Sequence, residues 1–276
     1  MTERAFVAPT GRSIQLRTSG LQARVIPDDI DDGWLLDVGG IIQSHVDLTD
    51  PLNIRYEYLR RMANVIDVCW PPATPLAVLH LGAGALTLPR YVQASRPGSQ
   101  QTVIELEREL TSMITTELPL PEGTQLTSII GDAREEANAL SAQRFDVIVL
   151  DIYTGFDTAE HLTGQDFYAE LLNLLNDNGA LLINIGDEIG LRFFARQAQE
   201  LETAADTAGL SGAWALADVS MLDRLHYGNV VLAAGGALTA GESEALRARL
   251  LGAGPHPAAV LEPAQTAELA ARIIRG

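Results

Sequence analysis

The stretch Leu76 to Tyr91, LAVLHLGAGALTLPRY, constrains the fold more than any other part of the chain. A short apolar run, Leu76 to Leu81, breaks at Gly82-Ala83-Gly84 and continues with helical spacing. Such a run is a buried parallel strand entering a tight turn, with glycine where backbone bends sharply or meets a ligand. The following helix would point free N–H groups and a positive dipole end at that turn, which suits an anionic or hydroxyl-rich nucleotide. Glycines also follow many buried strands only to turn the chain, so the nucleotide reading needs support from the rest of the sequence.

That support begins with rhythm. After Pro75, apolar or β-branched runs at 76–81, 101–105, 125–130, 145–150 and 180–185 read as strands. Helical spacing fills the intervals at roughly 86–95, 107–117, 133–141 and 165–176. Alternation of this kind specifies an α/β fold with a parallel sheet covered by helices on both faces and right-handed crossovers. A helix at about 188–208 leads to two further strand-like runs, Ala213 to Val219 and Asn229 to Ala234, giving seven strands in all. Residues 241–250 and 264–274 read as terminal helices.

Upstream the pattern differs. Ser13 to Arg17, Ala23 to Ile26, Trp34 to Val38 and Ile41 to Val46 alternate like strands, with Asp-Gly and Gly-Gly between the later pairs. This is a small antiparallel β unit, too thin to stand alone, that should pack on the main domain. From Pro51 the spacing turns helical, with Ile54, Tyr58, Met62 and Val65 on one face, until Trp70-Pro71-Pro72 ends the helix. The expected division is a β unit at 1–50, a connecting helix and Pro-rich linker at 51–75, and a nucleoside-binding domain at 76–276.

Charge narrows the partners. With 36 acidic residues against 19 Lys and Arg, the net charge of −17 argues against nucleic acid or an anionic membrane surface and permits a cationic substrate. The single cysteine, Cys69, excludes an intrachain disulfide and a Cys-cluster metal site. The N-terminal residues MTERAFVAPTGRS contain no apolar leader-like core, and no apolar run reaches bilayer length, so a cytoplasmic location is expected.

In an open α/β sheet, ligands sit beyond the carboxyl ends of the strands. Gly82 and Gly84 follow the first strand. Glu105 ends the second, about twenty residues on, where a carboxylate is placed to accept hydrogen bonds from ribose hydroxyls. Gly131-Asp132-Ala133 follows the third, and Asp132 is suited equally to capping the next helix or reaching an adenine amine. Asp151 terminates the apolar run Val147 to Leu150 at the end of the fourth and should stand at the mouth of the site. His80 lies within a buried strand pattern and reads as a core residue. His45 and His161 lie near the expected cleft without metal-ligand spacing, so no metal is expected.

The order of these motifs resembles the spermidine synthase (polyamine aminopropyltransferase) family. The glycine turn, Glu at the second strand end, Gly-Asp-Ala and then FDVIVLD…HLTGQDFYAELLNLLNDNGALLIN carry the resemblance, joined upstream by LLDVGGIIQSHVDLTDP. It covers about residues 30–190. The resemblance implies a methyltransferase-like Rossmann fold with decarboxylated S-adenosylmethionine as co-substrate and a small cationic diamine, such as putrescine, as acceptor. By position, Glu105 would hold the ribose, Asp132 with Ala133 the adenine, Gly82 and Gly84 the turn beneath it, and Gln43 the thioether or amine region. Asp151 would act on the attacking amine, with Tyr56, Tyr153 and Asp157 on the acceptor side. A homodimer is expected.

Two departures keep alternatives open. The family's glycine motif carries an Asp that pairs with the donor's ammonium, and Ala85 stands in its place here. The family's Asp-Ser-Ser-Asp run becomes Asp151-Ile152-Tyr153-Thr154, keeping only the first carboxylate. Beside aminopropyl transfer stand methyl transfer from intact S-adenosylmethionine and a non-catalytic nucleoside-thioether binder on the same core.

Overall fold

A computed structural model describes residues 11–152, 160–239 and 243–276. It opens with four short strands, β1 (Ser13–Gln15), β2 (Gln22–Pro27), β3 (Trp34–Val38) and β4 (Ile41–Val46), paired antiparallel in the order β1-β2-β3-β4. Gly39 and Gly40 join β3 to β4, both at positive φ (63° and 85°), as a two-residue hairpin requires. Helix α1 (Glu57–Cys69) follows and stops where Trp70 turns extended before Pro71.

Strands and helices then alternate: β5 (Ala77–Leu81), α2 (Thr87–Ser95), β6 (Gln100–Glu105), α3 (Arg108–Glu117), β7 (Gln125–Ile130), α4 (Ala133–Ala139) and β8 (Phe145–Leu150). Next come α5 (Gln165–Leu172), β9 (Leu175–Asp187), α6 (Arg192–Thr207), β10 (Trp214–Asp218), α7 (Val219–Arg224) and β11 (Gly228–Ala234). The chain closes with α8 (Ser243–Ala253), β12 (Ala258–Leu261) and α9 (Pro263–Arg275). The large sheet has the order β12-β10-β11-β9-β8-β5-β6-β7. Strands β7, β6, β5, β8 and β9 run parallel, while β11 is antiparallel to both β9 and β10. Strand order reverses between β5 and β8, which places the expected ligand crevice at their carboxyl ends.

The sheet has eight strands, one more than expected. The added strand, β12, is only Ala258–Leu261 and pairs antiparallel with β10, too short to stand out from the Pro-rich stretch before it. Strand β9 begins at Leu175, five residues before the expected start. Asn176-Asp177-Asn178-Gly179 favours a helix end over a helix, and the pairing with β8 slips between Phe145 and Val147 to accommodate it. The polar stretch before β11 is the short helix α7, capped by Asp218.

Alternate side chains on each central strand fill opposite faces. Leu79, Leu81, Ile148, Leu150, Leu181 and Ile183 pack under α4, α5, α6 and α9. Val78, Val147, Val149 and Leu182 pack under α1, α2 and α8. His80 is 2% exposed, with Nε2 on Gln101 Oε1 at 2.9 Å, and burial pushes its pKa down to about 4. It is a neutral core residue, as its strand position suggested. Among the described residues no helix is long and apolar enough to cross a membrane.

The small sheet is fastened to the large one. Leu16, Val25, Leu36 and Val38 pack on Leu110, Met113 and Ile114 of α3 and on Ala83, Ala85 and Leu86. Glu107, at the start of α3, accepts from Thr18 N (3.0 Å) and Ser19 N (2.6 Å) in the β1–β2 turn. Burial alone would raise its pKa, but these hydrogen bonds outweigh burial and hold it below the ordinary glutamate value. Replacing Glu107 with Ala should therefore cost about 2–3 kcal/mol of stability, because two amides lose an anionic acceptor. Chemical denaturation measures the loss. With a depressed folded pKa, the native contribution is present above the ordinary carboxylate range and fades as pH falls through the depressed value; the difference from wild type should shrink there.

Gly82, at the end of β5, tests the packing of the central strands. Its φ is +97°, and a Cβ there would lie 2.3 Å from the Asp151 carbonyl oxygen at the end of β8. Gly82→Ala should destabilise the protein by about 2–4 kcal/mol through combined strain and steric conflict. A melting temperature within a degree or two of wild type would contradict this packing.

Candidate active site

Three turns meet at the carboxyl ends of β5, β6 and β8. The first is the glycine turn, which ends at Leu86 in the left-handed region (φ 58°) before α2 begins. Glu105 at the end of β6 holds it: Oε2 accepts from Ala83 N and Oε1 from Glu107 N, both at 2.9 Å. Burial raises the Glu105 pKa, partly offset by these amides. Each oxygen keeps acceptor capacity beyond the one bond it makes.

Asp132 is the cap of α4, the first of the two roles its position allowed. Oδ1 caps α4 by accepting from Arg134 N (3.0 Å) and Glu135 N (3.2 Å), while Oδ2 faces outward and meets His161 Nε2 at 2.7 Å. Burial works to raise its pKa, but the His161 bond and the two amides prevail and hold it below the ordinary value. Ala133 is buried as the first residue of α4.

Asp151 lines a cavity of about 380 Å³ together with Gln43, Tyr56, Tyr58, Arg61, Asn184 and Asp218. Tyr58 OH donates to Asp151 Oδ2 at 3.2 Å, and Asn184 Nδ2 donates to Oδ1 at 2.8 Å. Asn229 Nδ2 in turn donates to Asn184 Oδ1 at 3.0 Å. Burial raises the Asp151 pKa, with these two donors pulling against it. The result is an oriented carboxylate with raised proton affinity on the wall of the cavity, a good proton acceptor.

The structure thus brings Gln43, Tyr56 and Asp151 together around one cavity and sets the glycine turn, Glu105 and Asp132 along the neighbouring strand ends. Tyr153 and Asp157 lie outside the described residues. Tyr58, Asn184, Asn229 and Asp218 join the site without having been expected there. Tyr58 read as one more core position on α1, although a tyrosine on an apolar face needs a partner for its hydroxyl. Asn184 breaks the apolar run Ala180–Ile185, and Asp218 ends one, as Asp151 does.

Ala85, where the family carries Asp, is 1% exposed. Its N–H donates to Ser44 Oγ at 3.2 Å and its carbonyl accepts from Arg90 Nε at 3.3 Å. Arg90 also donates to the carbonyls of Leu118 and Pro119, and burial lowers its pKa to about 10. The turn is thus supported on one side by the Glu105 carboxylate and on the other by the Arg90 guanidinium.

His45 has closer acidic neighbours than the sequence suggested. Asp28, Asp31 and His45 bring ligand-type atoms within 4.8 Å of one another. The cluster is already internally paired: His45 Nε2 meets Asp31 Oδ1 at 2.9 Å, and the Arg55 guanidinium donates to Asp28. It acts as a strut, since the His45 carbonyl accepts from Thr87 Oγ1 at the start of α2 (2.8 Å).

No family model matches the chain. It is 24% identical over 176 residues to the polyamine aminopropyltransferase of Neisseria meningitidis, a match spanning 61% of this chain and 66% of that protein, just under two thirds of its length. The crystal structure of a probable spermidine synthase from Corynebacterium glutamicum superposes with a TM-score of 0.81 at 26% identity, covering 95% of this chain and 94% of that one. Human methyltransferase-like protein 13, solved with SAH, shares the fold at a TM-score of 0.54 and 16% identity, over 80% of this chain and 93% of that one. The eight-stranded core is thus a methyltransferase-like Rossmann fold. With its small antiparallel sheet beside that core, the chain is similar along nearly its whole length to the probable spermidine synthase and, over part of it, to the polyamine aminopropyltransferases.

Proposed function

We propose that the protein moves an aminopropyl group from decarboxylated S-adenosylmethionine to an amine bound in the cavity beside Asp151. The observation that carries this reading is Asp151 itself, held by Tyr58 and Asn184 at the cavity wall with its pKa raised by burial. In this reaction the amine's lone pair attacks the carbon next to the sulfonium. The C–S bond breaks with its electron pair going to sulfur, and the proton displaced from nitrogen goes to Asp151. Sulfur leaves as a neutral thioether, so the protein has to orient, desolvate and accept a proton. No metal is needed for such a displacement.

On this reading Glu105 accepts from the ribose hydroxyls and the outward oxygen of Asp132 takes the adenine amine once His161 yields it. Gly82, Gly84 and Ala133 leave room for the nucleoside, Gln43 faces the reacting groups, and Tyr56 walls the acceptor. The acidic balance of the chain suits a cationic acceptor. A second reading, methyl transfer from intact S-adenosylmethionine, is favoured by one observation: Ala85 stands where the family's glycine motif carries the carboxylate for the donor's ammonium.

Calorimetry with both donors separates the two. Aminopropyl transfer expects the decarboxylated donor to bind more tightly; intact S-adenosylmethionine binding tenfold tighter would overturn it. Glu105→Gln should weaken donor binding by about tenfold, having lost a charged acceptor for the ribose. Asp151→Asn should lower turnover by roughly 10²–10⁴-fold while nucleoside affinity holds. Because the base must be ionised and its pKa is raised, the acid limb of the wild-type kcat/KM profile should lie above the ordinary aspartate range. An acid limb at the ordinary value would remove Asp151 from that role.

A further inference from the structure

Three polar side chains form a row where the large sheet ends at the cavity. Asn229 on β11, Asn184 on β9 and Asp151 at the end of β8 come from adjacent strands, and all three line the cavity wall. The residue paired with Asn229 across β9 is Gly186, two places beyond Asn184. With no side chain opposite it, the Asn229 amide crosses to its diagonal neighbour Asn184, a reach that long polar side chains make on one face of a sheet.

The row has a direction, set at its anionic end. An ionised carboxylate only accepts, so Asn184 turns its amide nitrogen to Asp151 Oδ1, where it donates at 2.8 Å. That leaves the Asn184 oxygen facing Asn229, whose Nδ2 donates to it at 3.0 Å. Turning the Asn184 amide over would set oxygen against carboxylate on one side and nitrogen against nitrogen on the other. The Tyr58 hydroxyl, which donates to Oδ2 at 3.2 Å, is not bound in this way, because a hydroxyl can rotate and accept instead. The two oxygens therefore differ when a proton arrives. A proton on Oδ1 needs the amides of Asn184 and Asn229 to turn over together. A proton on Oδ2 needs one hydroxyl rotation.

The other titratable groups of the cavity are engaged elsewhere. Arg61, from α1, has both Nη atoms on one oxygen of Glu57 at 3.0 Å. Asp218, at the end of β10, is held below the ordinary aspartate value chiefly by Ser220, with the Arg61 charge adding to the effect. His226 turns its ring to the Tyr227 carbonyl (2.8 Å) and to Ser220 Oγ (3.4 Å), and Tyr56 stacks on Tyr58 with ring centres 6.4 Å apart. Among the described residues, only Tyr58 and Asn184 hydrogen-bond to the Asp151 carboxylate.

We propose that Asn229 is a positioning residue: it fixes the sense of the Asn184 amide, and so keeps a donor on Asp151 Oδ1 and directs the amine's proton to Oδ2. This rests on the aminopropyl-transfer reading above and deepens it by naming the oxygen that takes the proton. Nitrogen forms the C–N bond with its lone pair, and the C–S pair goes to sulfur. The N–H pair stays on nitrogen as the proton bonds to Oδ2, and the Tyr58 hydroxyl rotates to accept from the new O–H. Later release of that proton to water restores the carboxylate.

Asn229→Leu is the test, since leucine is close to asparagine in shape and adds no charge. Without Asn229 the Asn184 amide turns freely and its oxygen accepts from a protonated Oδ1, so the neutral carboxyl gains a state that the wild type denies it. The Asp151 carboxyl can be followed by NMR of protein carrying isotope-labelled aspartate, its signal identified by its loss in Asp151→Asn. In Asn229→Leu it should titrate about one pH unit higher than in wild type. The acid limb of kcat/KM should rise with it, turnover should recover at pH above both limbs, and calorimetric affinity for methylthioadenosine should be unchanged. If the leucine variant fails to fold by circular dichroism, Asn229→Ala replaces it. A carboxyl that titrates as in wild type overturns the proposal, and so does turnover lost equally at every pH. A carboxyl that moves while the acid limb stays in place upholds the positioning role and removes Asp151 as the proton acceptor, so the failure of the transfer reading is told apart from the failure of this one.

Discussion

The glycine turn keeps its shape because Glu105 accepts the Ala83 amide, and much of the molecule is arranged around that one bond. Glu105 ends β6 and reaches across to the turn that ends β5; its other oxygen takes the Glu107 amide. Two residues on, Glu107 grips the β1–β2 turn of the small sheet. Two carboxylates, Glu105 at the end of β6 and Glu107 at the start of α3, thus tie the glycine turn, α3 and the N-terminal sheet into one unit. Hydrogen bonds to an ionised group are about twice as strong as neutral ones, so this brief segment does a disproportionate share of the positioning.

Much of that arrangement is legible in the chain, and the reasons are specific. Apolar runs that end in Glu105, Asp132 or Asp151 announce both a strand and the end that faces ligand, since a buried strand rarely ends on a carboxylate for packing alone. The Gly39-Gly40 hairpin and the Trp70-Pro71-Pro72 stop were similarly plain. What escaped notice depends on contacts distant in sequence or on elements too short for a period to show. Tyr58 meets Asp151 across 93 positions of chain. Asn184 and Asn229 read as ordinary interruptions of apolar strands. The four residues of β12 cannot display alternation, and the turn-like residues of Asn176–Gly179 hid an extended strand with a slip in register.

Asp151 shows how the site is maintained against its own cost. A carboxylate whose folded pKa is raised is penalised by folding whenever it is ionised, and that penalty is relieved only as pH falls through the raised value. Tyr58 and Asn184 offset part of it, which is why each oxygen has its own donor. Ordinary core packing has no need of such a group, and the proposed aminopropyl transfer gives it one use, as the acceptor of the amine's proton. The His45 cluster differs: every charge there has a neighbour of opposite sign, and its output is mechanical, through the carbonyl that holds Thr87.

The attachment of the small sheet has a consequence for modularity. Ser44 binds the Ala85 amide, and a Cβ on Gly84 would lie 2.8 Å from the same hydroxyl; His45 holds Thr87, and Glu107 holds Thr18 and Ser19. The four strands therefore do not form an interchangeable cassette. A chimera that took this sheet from one relative and the core from another would inherit mismatched halves of the glycine turn, unless Ser44, Gly84, Thr87 and Glu107 travelled together. Recombination within such a family should cross over outside this quartet, and the positions should be inherited as a block.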